Sequence, residues 1–181
     1  MNEEKRKKQQ EQFAQTERRI QRRNEVLAEY PEIAKFVKRK EKCIRLLLLI
    51  GLVFYILRIM VIGSMLDSSI GVKFFSFFMG YGMYWILLMA CMSPNVKAQN
   101  CSVILCVGIL FNTVSKNIKA ISASGNLFKV YQEAFQVNPW IVISDVGMLV
   151  FFLLVCIVVI WVVFIPKNRR ISKQYEELIS I

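Results

Sequence analysis

Histidine is absent from all 181 residues. Its absence removes the commonest general base and the commonest metal ligand. Carboxylates are nearly as scarce where a reaction centre would have to form: between residues 42 and 175 only Asp67, Glu133 and Asp145 carry one. There is no Gly-rich phosphate loop, no H-E-x-x-H, no G-x-S-x-G and no paired-carboxylate motif. A chain so poor in acid and base groups is expected to be non-enzymatic, with no metal and no cofactor. The five cysteines, Cys43, Cys91, Cys101, Cys106 and Cys156, include no C-x-x-C and fall within or at the edges of apolar segments. They read as small buried hydrophobes, not as a redox centre. No secretory leader is expected either, because the first apolar run begins only at Ile44 and is too long for the apolar part of a signal peptide.

What is present in quantity is hydrocarbon. Hydrophobic residues make up 55% of the chain and its mean hydropathy is +0.43, well above a soluble domain of this size. Four apolar segments stand out at the roughly 17–25 residues that cross a bilayer core: 44–66, 70–92, 98–115 and 140–165. The third is the shortest and most polar, and the fourth is broken only by Ser144 and Asp145. The expected fold is an all-α membrane protein: a four-helix transmembrane bundle with a charged cytoplasmic N-terminal helix.

Charge sets the expected orientation. Fourteen of the 24 Lys and Arg lie in residues 1–45 and four more in 167–173. Because Lys and Arg resist translocation, both ends are expected in the cytoplasm of a multi-pass plasma-membrane protein. Two cytoplasmic ends demand an even number of spans, which argues for counting the weak third segment. Lys116, Lys119 and Lys129 in the external loop run mildly against the rule.

The connections also carry local signals. The corner CMSPNVKAQN offers Ser93 as a cap and Pro94 for the first turn of the next helix, which predicts a tight hairpin between segments two and three. In the longest connection, 116–139, the run GNLFKVYQEAFQ spaces Leu127, Phe128, Val130, Tyr131, Ala134 and Phe135 along one helical side. That spacing predicts an amphipathic helix over about 126–136, lying on the outer membrane surface or covering the bundle's mouth. The N-terminal region 1–43 divides at Pro31. Before it, Phe13, Ile20 and Leu27 recur every seven residues on a highly charged helix, too few apolar positions for a self-standing coiled coil. After it, a new helix is expected to run without a break into the first span. Residues 166–181 read as a cytoplasmic tail.

Two groups of residues are candidates for function. The first is intramembrane: Arg58 within FYILRIMVIG, Asp145 in the last span, and Asn112, Thr113, Ser144 and Lys73 near the same depth. A charge at depth costs about 2.5–3.5 kcal/mol or more, so such residues face a bundle interior or an aqueous cavity. Counting from the outer ends of their spans brings Arg58 and Asp145 to similar depth, as a pair that locks the bundle, a polar vestibule, or a contact with another subunit. The second group is basic: Arg18, Arg19, Arg22, Arg23, Lys38, Arg39, Lys40, Lys42 and Arg45. These are expected to meet anionic lipid headgroups or a protein partner docked on residues 3–40. Nucleic acid is not expected, since Glu3, Glu4, Glu11 and Glu17 are interspersed and no aromatic platform accompanies the cations. The expected role is an accessory subunit of a membrane complex. The alternative is a small oligomeric channel, transporter subunit or holin-like pore of identical chains.

Overall fold

The computed structural model describes the backbone of residues 3–65 and 70–180, and within these all side chains except those at 3, 4, 62–65, 70–74, 76, 77, 116, 117, 120, 121, 123, 124 and 127. Among the described residues there are seven helices and no strand: α1 (Glu3–Glu29), α2 (Pro31–Met65), α3 (Ile70–Met92), α4 (Val96–Ser124), α5 (Leu127–Val137), α6 (Pro139–Val163) and α7 (Pro166–Ser180).

Proline and asparagine make the joints. Pro31 has no N–H with which to continue the α1 ladder, so the chain turns at Tyr30. The Ala34 N–H then bonds the Tyr30 carbonyl at 3.0 Å and opens α2. At the α3–α4 corner, Asn95 is the cap: its Oδ1 accepts from the N–H groups of Lys97 (2.8 Å) and Ala98 (3.2 Å). Ser93 and Pro94 lie in the turn instead, with Ser93 Oγ accepting from the Asn95 N–H at 3.1 Å. An amide oxygen two residues closer to the helix satisfies two orphan donors at once, which explains why it displaces the serine. Gly125, at φ 75°, ends α4 in a conformation that costs other residues a steric penalty. Asn138 serves two helices: its N–H closes α5 on the Ala134 carbonyl (2.9 Å) and its side chain accepts from the Trp140 N–H (3.0 Å) to start α6.

Three helices are long and apolar enough to cross a membrane: α2 within Pro31–Val61, α4 within Val96–Ser115, and α6 over Pro139–Val163. In α3 the described apolar run is shorter, Phe78–Met92. The outward faces agree. Leu153, Ile157 and Ile160 on α6, Leu49 and Val53 on α2, and Ile104 and Phe111 on α4 are all exposed. So continuous an apolar surface is stable against hydrocarbon and not against water.

Inside, one core joins α2, α3 and α6. Ile44, Leu87, Leu88, Phe151, Val155 and Val162 are fully buried there. The closest packing is between α2 and α6, which meet through reciprocal gaps. A Cβ on Gly51 would stand 2.5 Å from Phe151 Cζ, and one on Gly147 would collide with the Phe54 ring. As residue numbers rise along α2 they fall along α6, so the two helices run antiparallel. Gly82 and Gly108 face open space. Helix α4 is peripheral: its fully buried side chains are Gln99 and Ser102, whose polar groups bond the Ser93 carbonyl (2.8 Å) and the Gln99 carbonyl (2.6 Å).

A second, smaller core forms where α1, the start of α2 and α7 meet, from Val26, Ile33, Phe36, Val37 and Tyr175. The segment 166–181, read from its charges as a tail, is thus mostly a packed helix. Tyr175 is 4% exposed and sits inside this core, where burial pushes its phenol above the usual range. Asn168 Nδ2 donates to the Trp161 carbonyl at 2.8 Å, pinning the start of α7 against the end of α6.

Candidate functional site

Two sites of opposite character occupy the two ends of the bundle. At the end that carries α5, Arg58 of α2 reaches Asp145 of α6, with Nη1 3.1 Å from Oδ1. The antiparallel register that places Gly51 against Phe151 and Phe54 against Gly147 continues one turn further and brings these two charges level. Both side chains remain about one-third exposed, at 34% and 36%, toward a cavity of about 150 Å³. Thr113 and Tyr131 complete its polar rim, and Tyr84, Met148 and Phe152 lie at its base. Below it the core is closely packed, with the Tyr84 and Phe151 rings tilted at 55° and their centroids 5.1 Å apart.

The other residues expected in this cluster divide. Thr113 joins the rim, although its hydroxyl is bonded to the Ile109 carbonyl of its own helix at 2.9 Å. Ser144 is buried, and its hydroxyl donates to Ile141 O at 2.9 Å. Asn112 is exposed and points away. The side chain of Lys73 lies outside the described residues. Two tyrosines that the sequence did not single out, Tyr84 and Tyr131, stand where Asn112 was expected. Tyr131 reaches the site because α5 lies against α4 and α6 with Val130, Tyr131 and Ala134 half-buried, while Phe128 and Phe135 turn outward. Burial and the nearby Asp145 carboxylate raise the Tyr131 phenol.

At the opposite end, α1 folds back along α2. Arg23 is ion-paired with Glu41 eighteen residues on, and Arg22 Nε donates to the Leu178 carbonyl of α7 at 3.2 Å. The face that packs is not the seven-residue stripe. Val26 is buried, Leu27 only partly, and Phe13 and Ile20 are exposed at 71% and 54%. Every described side chain from residue 5 to residue 21 is exposed.

The nine basic candidates also divide. Lys38 and Lys42 face outward. Arg39 lies 5.8 Å above the Trp161 ring, and Arg45 stands 3.7 Å from Glu41. Arg18, Arg19 and Arg22 border a shallow depression beside Ile179 and Ser180. Lys40 departs from the expectation of a headgroup-facing cation: it is 2% exposed. Its ammonium lies 3.3 Å from the Ser93 carbonyl and 5.6 Å from the Phe36 ring. It faces a cavity of about 830 Å³ roofed by α1, walled by α2 and α7, and floored by the α3–α4 corner.

The cysteines do not behave uniformly. Cys91 is buried, Cys101 is exposed, and Cys43, Cys106 and Cys156 are intermediate; all five are free thiols. Cys106 of α4 and Cys156 of α6 approach to 3.3 Å between sulfurs. Among the described residues no cluster of three or more Cys, Asp or Glu could hold a metal ion. No protein-family model, no curated protein and no solved structure matches this chain, so its functional reading stands on these two sites alone.

Proposed function

We propose that the chain is a non-enzymatic accessory subunit of a membrane complex, built as a four-span bundle with both ends in the cytoplasm, which docks a protein partner through the exposed half of α1. The fourth span in this reading is α3 over its full 23 residues, Ile70–Met92, about 34 Å of helix at 1.5 Å per residue. The basic ends hold α1 and α7 on the cytoplasmic side, and α5 caps the outer mouth.

The observation that carries the proposal is the division of α1. Its second half is bound to α2 and α7, whereas its first half keeps every described side chain from residue 5 to residue 21 exposed. An isolated charged helix gains little by forming alone, since most helix stability comes from packing. The exposed half carries Phe13 and Ile20 two turns apart, amid Lys5, Arg6, Lys7, Lys8, Arg18 and Arg19. That pattern fits an acidic partner with an apolar groove, the helix-in-groove mode of recognition. A channel reading is less well supported: a solute passing through one copy would have to cross the closely packed core at Tyr84, Phe151 and Val155.

Deletion of residues 2–21, which leaves the pinned half of α1 in place, is expected to preserve membrane insertion and bundle stability while abolishing partner capture in a mild-detergent pull-down. An unchanged partner set would sink the docking reading.

A further inference from the structure

We propose that the cavity beneath α1 holds the anionic headgroup of an acidic phospholipid drawn from the adjoining bilayer leaflet. The proposal rests on the reading above only in placing this end of the bundle at a membrane interface.

Lys40 is the centre of the argument. A lysine this deeply buried is ordinarily paired with a carboxylate, because an uncompensated charge out of water is costly. Here its one hydrogen bond, 3.3 Å to the Ser93 carbonyl, is long. An ammonium carries three donors, so it can still give hydrogen bonds to oxygens entering the cavity. The two carboxylates that border the cavity are already engaged. Glu41 is held by Arg23 and Arg45, and Glu176 Oε2 accepts from the Val96 N–H at 3.2 Å, at the positive end of α4. Arg19 adds a second cation on the rim with no carboxylate within ion-pair distance among the described residues. The cavity is therefore lined by three cations, Arg19, Arg23 and Lys40, against two carboxylates, Glu41 and Glu176.

Its walls identify the class of ligand. Met89, Met92, Val37 and Ile179 line it together with Lys40 and Arg19. A volume of about 830 Å³ is far more than a bare phosphate fills. The floor is the α3–α4 corner, where two apolar helices end and where headgroups lie beside acyl chains in a bilayer. A phosphate bearing hydrocarbon satisfies both kinds of wall, and a free anion satisfies only one. Basic pockets between spanning helices are established headgroup sites. Here the roof is part of the same chain.

The test uses the purified full chain in mild detergent, offered equal amounts of phosphatidylglycerol and phosphatidylcholine and read by native mass spectrometry. One phosphatidylglycerol per chain is expected, retained about tenfold over phosphatidylcholine. Arg19→Gln, at an exposed position that does not disturb folding, should lower that selectivity about fivefold, in keeping with one cation near a headgroup. Lys40→Met, which replaces the ammonium by an apolar group of similar reach, should lower it further. Equal retention of the two lipids, or wild-type selectivity in both variants, would overturn the proposal. So would displacement of phosphatidylglycerol by inorganic phosphate, which would assign the cavity to a soluble anion. Selectivity lost while residues 2–21 still capture a partner condemns the cavity alone, and the reverse outcome condemns the docking reading alone.

Discussion

The two ends of the bundle handle charge in opposite ways. At the α5 end one arginine meets one aspartate and the site is neutral as built, while at the α1 end a lysine is buried among cations whose neighbouring carboxylates are already committed. A site neutral as built asks nothing of its surroundings and serves to hold helices in register. A site left electropositive is completed by something from outside. Position on the chain does not separate the two, since Lys40 and Arg58 share one helix. What separates them is whether the facing helix supplies an anion that is still free.

The largest effect is expected from breaking the neutral site. Asp145→Leu leaves Arg58 without its carboxylate at the cavity and should destabilise the detergent-solubilised protein by about 2.5–3.5 kcal/mol, the cost of an uncompensated charge at depth. The double variant Arg58→Leu/Asp145→Leu should recover most of that loss. Denaturant or SDS titration reads both, and a double variant as unstable as the single would show that the pair does more than cancel itself.

A smaller loss is expected from Gly51→Leu, about 1–3 kcal/mol for overpacking against Phe151. Because Gly51 sits two turns along α2 from the ion pair, in the same register against α6, this change should also part Arg58 from Asp145. The same titration applied to Gly51→Leu/Asp145→Leu then reads the coupling: the two losses should fall short of additive. The smallest effect belongs to the electropositive end. Glu176→Gln keeps an acceptor for the Val96 N–H but removes the charge at the start of α4, worth about 0.3–1 kcal/mol. It should leave the bundle nearly as stable while raising the phosphatidylglycerol selectivity of the cavity, because one of the two carboxylates that line it is gone. A fall in selectivity would show that the two ends do not differ in the way described.

Much of this contrast could be read from the sequence, and the reasons for the exceptions are physical. Helical content and membrane-length apolar runs are written in composition, because hydrocarbon imposes both. The level of Arg58 with Asp145 follows from counting residues along antiparallel helices. Rotational phase does not follow from counting. Asn112 and Thr113 are neighbours at one depth, yet one points outward and the other lines the rim. Ser144 was a reasonable candidate until its hydroxyl turned back on its own helix. Gly51 passed unnoticed because the signal is not the glycine but the phenylalanine facing it a hundred residues later. In 166–181 the basic residues obscured Ile171, Tyr175 and Leu178, whose spacing of four and three marks one helical side. In α1 the seven-residue stripe drew the eye away from Val26, which is the residue that packs. Lys40 could not have been distinguished from its basic neighbours without knowing what lies over it.

Helix α2 runs unbroken for 35 residues, from the core shared with α1 and α7 to the ion pair with α6. No loop lies between Phe36 and Arg58 to absorb a displacement, so a pull on α1 that slides α2 by a single residue carries Arg58 about 1.5 Å along the axis. That travel is half the 3.1 Å separating its guanidinium from Asp145. The core around Phe36 and the ion pair at Arg58 are thus two ends of one unbroken helix.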